Sequence, residues 1–68
     1  MYIFKKELTN VIKNKYKVRN IGKVVGITDG YLSQIINGKK TCPKRTAYAI
    51  TKYLDEEAEI EKYFDILK

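Results

Sequence analysis

The sequence has 68 residues, a net charge of +6, one cysteine and no histidine. This length allows one domain, residues 1–68, which withdraws only about 60% of its unfolded surface from water. No disulfide can assist it, so an efficient helical core, a partner subunit or both are required. Cys42 alone indicates a reducing compartment, and neither a signal-peptide pattern nor an apolar run near the ~20 residues of a membrane span is evident. The expectation is a soluble cytoplasmic protein without membrane contact.

The apolar spacing is helical from the start. Phe4, Leu8, Val11 and Ile12 share one face over residues 2–15, with Lys5, Lys6, Asn10 and Lys13 opposite. A second helix is expected over 18–25, with Ile21 and Val25 inward and Gly26 ending it in the left-handed conformation. Thr28 is a good N-cap for a third helix, 29–36, buried through Leu32 and Ile35 and stopped by Asn37-Gly38. After the loop "KKTC", Pro43 suits the first turn of a fourth helix with Ala47, Ile50 and Leu54 inside. Asp55 either caps a fifth helix carrying Ala58, Ile60, Tyr63, Phe64 and Leu67, or the fourth helix continues; a break at Asp55 is preferred. No segment alternates with period two long enough to argue a strand. The expected fold class is therefore all-α, a compact bundle of four to five helices.

Charge is divided unevenly along the chain. Residues 1–45 hold eleven Lys/Arg against Glu7 and Asp29, a net +9, whereas residues 46–68 hold three Lys against six acids, a net −3. Such a split suggests a basic face for a polyanion and an acidic end turned away from it. Enzyme chemistry is poorly provided for. Without histidine the commonest general base and metal ligand is missing. Cys42 has no histidine partner, no zinc cluster forms, and no Gly-rich phosphate loop follows a strand pattern. No enzyme activity, metal, cofactor or small-molecule ligand is expected, and Cys42 reads as a packing or loop residue.

Around Gly26 the inward residues Ile21, Val25, Ile27, Leu32 and Ile35 have the spacing that two short helices need to cross through a tight turn. Residues 18–38 resemble the helix-turn-helix of the phage repressor and Cro family, also called Xre-type. The helix-then-proline arrangement around "NGKKTCP" extends the likeness to about residue 54. Two positions depart from the family pattern. A small residue, often alanine, usually occupies the place of Gly22, and glutamine often stands where this chain has Val18. Arg19 is placed to substitute for that glutamine on the DNA backbone.

The resemblance implies a lambda-repressor-like fold whose third helix enters the major groove, N-terminal residues against base edges. Base-reading positions are then Thr28, Asp29, Gly30, Ser33 and Gln34. Gln34 can pair with adenine N6 and N7, or remain a solvated side chain. Asp29 can accept from a cytosine amino group, or simply favour the helix N-terminus. Gly30 would let the backbone approach DNA. The phosphate-positioning set comprises Arg19, Lys23, Tyr31, Asn37, Lys39, Lys40, Thr41, Lys44 and Arg45, with backbone amides near Asn37 gripping phosphates and Tyr31 alternatively reaching a thymine methyl.

The function implied is a sequence-specific double-stranded DNA-binding regulator, a repressor of phage or mobile-element type, in a bacterial or phage-infected cell. The competing reading is a protein-interaction module that keeps the fold: an antirepressor, antitoxin or inhibitor. Asp29 favours this second reading, since an acid there repels phosphates. A homodimer on an inverted repeat is also expected, formed in solution or only on DNA. It would be built by residues 56–68 through Ile60, Tyr63, Phe64 and Leu67, with Ile66 beside them; the other possibility is that these residues seal the monomer core.

Overall fold

The computed structural model describes residues 1–67. Its elements in chain order are β1 (Tyr2–Phe4), α1 (Lys6–Lys15), α2 (Val18–Val25), α3 (Asp29–Ile36), α4 (Lys44–Leu54), a 3-10 turn (Ile60–Lys62) and β2 (Phe64–Ile66). Four helices surround one core, and a two-stranded antiparallel sheet joins the ends of the described chain. The pairs are Tyr2 with Ile66, Ile3 with Asp65 and Phe4 with Phe64. Among the described residues no helix is long and apolar enough to cross a membrane.

The middle of the chain follows local chemistry closely. Gly26 ends α2 at φ 85°, and its amide donates to the Gly22 carbonyl. Thr28 caps α3, its hydroxyl accepting from the Tyr31 amide at 3.2 Å. Gly38, at φ 75°, turns the chain out of α3. Both glycines occupy backbone conformations that a Cβ would strain. Ile21, Leu32, Ile35, Ile36, Ala47, Ile50 and Leu54 are buried together.

The two ends differ from the all-α expectation. Residues 2–4 are a strand, and α1 begins only at Lys6. Tyr2, Ile3 and Phe4 are aromatic or β-branched, and such residues fit a pleated surface better than an exposed helical turn. On α1 Val11 faces solvent and Ile12 alone is buried.

The fifth helix is replaced by the 3-10 turn and β2. Asp55 ends α4, and its carboxylate accepts from the Glu57 amide at 3.1 Å and from Lys62 Nζ at 2.9 Å. That turn lets Ala58, Ile60, Tyr63 and Phe64 all point inward, a spacing no single helix face provides.

The dimer surface expected from Ile60, Tyr63 and Phe64 is corrected accordingly, because all three are buried in the monomer core. Phe4 meets Phe64 edge-on at 5.2 Å between centroids and stacks on Tyr63 at 6.4 Å. Each such pair adds about 0.5–1.5 kcal/mol beyond area burial. Ile66 and Leu67 remain 58% and 45% exposed.

Phe64→Ala is expected to cost about 3–5 kcal/mol, enough to unfold much of a domain this small. Thermal denaturation followed by circular dichroism would show it. A melting temperature within a few degrees of the parent would deny Phe64 its place in the core.

Candidate nucleic-acid interface

The outward side of α3 carries the sequence-predicted reading residues. Thr28, Asp29, Gly30 and Gln34 are exposed and Ser33 is half-buried, while Leu32, Ile35 and Ile36 fill the inward side. Tyr31 packs against the core from a half-buried position and is only partly free to reach outward. The helix is held at both ends. Its N-terminus has the Thr28 cap and the Asp29 charge, both favourable to the exposed amides there. At its C-terminus Thr9 Oγ1 donates to the Ile36 carbonyl at 2.7 Å, and Lys13 Nζ donates to Asn37 Oδ1.

Gly22 is buried where α2 comes closest to the turn into α3. A Cβ there would stand 3.0 Å from the Ile27 carbonyl oxygen, 3.3 Å from Asp29 Oδ1 and 3.6 Å from Leu32 Cδ2. The glycine therefore permits this close approach, and even alanine would be tight. Its neighbour across the turn, Asp29, lies folded back toward α2. Asp29 Oδ2 is 4.0 Å from Arg19 Nε, and both side chains are mostly exposed. An exposed pair of this kind contributes about 0–1 kcal/mol.

Gly30 is the opposite case. It has ordinary helical backbone geometry, and a Cβ built on it meets nothing within 4 Å. No contact inside the molecule calls for glycine in this exposed first turn.

The cations occupy three neighbouring stretches of chain. Arg19 lies in the first turn of α2 and Lys23 near its end, Lys39 and Lys40 lie in the loop after α3, and Lys44 and Arg45 open α4. All six side chains are exposed. Apart from Arg19 with Asp29, none forms an ion pair among the described residues. Neither α2 nor α4 has a side-chain cap or an acid in its first turn. Arg19, Lys44 and Arg45 therefore sit at the positive ends of helix dipoles, where a cation is disfavoured by about 0.3–1 kcal/mol. An external anion would reverse that cost.

The loop amides are a different matter. The Asn37 amide donates to the Ser33 carbonyl, that of Gly38 to Ile35, and those of Lys39 and Lys40 both to Gln34. Backbone N–H groups near Asn37 are thus already satisfied within the chain, which corrects their expected role as phosphate donors. Their bonds instead hold the loop so that the Lys39 and Lys40 side chains project from it. Thr41 is half-buried, and beyond it Cys42 pairs with Tyr2 through two backbone hydrogen bonds of 2.8 and 2.9 Å.

Cys42 is fully buried, and desolvation pushes its thiol up to about 11, so little thiolate forms near neutral pH. No enclosed pocket and no cluster of potential metal ligands is present among the described residues. Thr9 and Lys13 are the supporting residues that sequence reasoning overlooked. Their spacing of four places them on one side of α1, but nothing in the sequence names the end of α3 as their target.

No protein-family model matches the chain, and no curated protein or solved structure matches it.

Because Gly30 is open to solvent, Gly30→Ala should raise stability by about 0.5–1 kcal/mol through helix propensity alone. Chemical denaturation would measure it; a loss of stability would mean that the glycine serves the fold itself.

Proposed function

We propose that this chain is a sequence-specific double-stranded DNA-binding regulator, a repressor of phage or mobile-element type. In this reading α2, the Gly26 turn and α3 form a helix-turn-helix of the Cro and phage-repressor kind, with α3 in the major groove. The observation that carries the reading is Gly30: a glycine with no internal reason to be one, on the exposed polar face of a helix held at both ends. Close approach of a large partner gives it a reason. That the partner is a polyanion is supported by Lys23 in α2, the lysines in the loop after α3 and the cations at the start of α4, none of them in an ion pair among the described residues.

Gln34, Ser33 and Thr28 are then the base-facing side chains, and Lys23, Lys39, Lys40, Lys44 and Arg45 position the phosphates. Asp29 lies toward Arg19, and the pair presents less negative charge to a phosphate than a lone acid would. This weakens the main support for the competing protein-interaction reading. A single recognition helix reads few base pairs, so two copies on an inverted repeat belong to the proposal. Within residues 56–67, Ile66 and Leu67 are the large apolar side chains left exposed for a second copy.

Selection of bound sites from a random duplex library tests the function directly, since enrichment of one sequence is expected and recovery of unselected DNA would refute it. On the selected site, Gln34→Ala should lose roughly 1–3 kcal/mol and relax one base position. An equal loss on random DNA would remove Gln34 from the reading set. Gly30→Ala should weaken duplex binding while strengthening the fold, a split that a purely structural glycine cannot give.

Lys39→Ala and Lys40→Ala should weaken binding to all sequences alike, each lowering the slope of log affinity against log salt by roughly one. Titrations at several salt concentrations would show an unchanged slope if these lysines stay in solvent.

A further inference from the structure

The Ser33 hydroxyl ends a short polar chain that begins on α1. Asn37 Nδ2 donates to Ser33 Oγ at 3.4 Å, and Lys13 Nζ donates to Asn37 Oδ1. An ammonium has donors only, so the Asn37 atom facing Lys13 must be the carbonyl oxygen, and the atom facing Ser33 must be the amide nitrogen. Ser33 can therefore only accept from Asn37. Among the described residues this is the one side-chain hydrogen bond Ser33 makes, which leaves its proton without an internal acceptor.

We propose that Lys13 and Asn37 are positioning residues that fix the polarity of Ser33, so that α3 presents a hydroxyl donor to the acceptor edge of one base. The inference rests on the DNA-binding reading above. In the major groove the available acceptors are N7 and O6 of guanine, N7 of adenine and O4 of thymine. A cytosine amino group would offer Ser33 a second donor and leave the hydroxyl proton unpaired at a desolvated surface, where an unmade hydrogen bond is costly. One polar chain, from α1 through the end of α3, thus selects against a base edge that neither Lys13 nor Asn37 touches. Asn37 has ordinary helical geometry, φ −77° and ψ −3°, so an aspartate can replace it without backbone strain.

The test compares sites selected from a random duplex library by the parent chain and by Ser33→Ala, Asn37→Asp and Lys13→Met, with folding checked by circular dichroism. Ser33→Ala should flatten preference at one base position by roughly three- to tenfold, the worth of a single hydrogen bond. At that same position Asn37→Asp should invert the preference toward the amino-bearing edges of cytosine or adenine, because a carboxylate takes the Ser33 proton and leaves lone pairs facing outward. Lys13→Met, at an exposed position, lets the Asn37 amide turn over and should relax the preference about two- to threefold, roughly half the free energy of one hydrogen bond. An unchanged preference in both Asn37→Asp and Lys13→Met, whatever happens to overall affinity, overturns the proposal but leaves the DNA-binding reading standing. Selection of no sequence by the parent chain overturns both.

Discussion

Phe4 packs edge-on against Phe64 and stacks on Tyr63, and the rest of the architecture depends on this closure. A domain this small has little apolar surface to spare, and three aromatic rings from the two ends of the chain close one side of its core. Their contact pairs β1 with β2. It also fixes β1 where Cys42 can bond to Tyr2 on the strand's other edge. The loop after α3 is thereby anchored twice, at Gln34 by its own amides and at Cys42 by the sheet. Lys39 and Lys40 are thus set beside the C-terminal end of α3 by their own amides, while the packing of the terminal segments holds the far end of the loop.

The magnitudes point the same way. The Arg19–Asp29 pair is exposed and contributes at most about 1 kcal/mol. Burial of one core side chain contributes about 1.5–3 kcal/mol, and Leu32, Ile35 and Ile36 are all inaccessible to solvent. Apolar burial therefore orients α3, and the polar contacts of Thr9, Lys13 and Thr28 fix its ends. Between the Thr28 cap and Asn37 the exposed face is left free of structural duty. That freedom lets Gln34 stand there without structural consequence and lets Gly30 stand there at only the modest propensity cost of an exposed glycine.

The middle of the chain was legible from sequence because its punctuation is local. Gly26, Thr28 and Gly38 act on their own backbone or on neighbours within a turn, so 18–25 and 29–36 agree with α2 and α3. The ends were not legible because their structure is nonlocal. Three residues of strand are too few to display alternation, and Tyr2–Phe4 gains its reason to be a strand only from Phe64–Ile66. The same limit applied to Ile60, Tyr63 and Phe64, whose inward direction follows from the Asp55 turn rather than from helical spacing. At the site, side-chain positions could be placed on the α3 face from periodicity. Pairings across elements could not, and the contacts of Thr9 with Ile36 and of Lys13 with Asn37 are of that kind.

The sheet register also bears on the order in which the molecule acquires its structure during synthesis. The contacts of α2 with α3 join neighbours in sequence and can form as soon as both segments leave the ribosome. β1 precedes β2 by about sixty residues, so Tyr2 can first pair only with Cys42, and Ile3 and Phe4 must wait for Asp65 and Phe64. Until then the β2 side of this Tyr-Ile-Phe segment stands exposed, the kind of edge that invites association with other chains. Lys5 and Lys6 follow directly behind it. Two adjacent charges next to a short apolar strand repel like copies of the nascent chain, so this pair guards β1 through the interval before its partner exists.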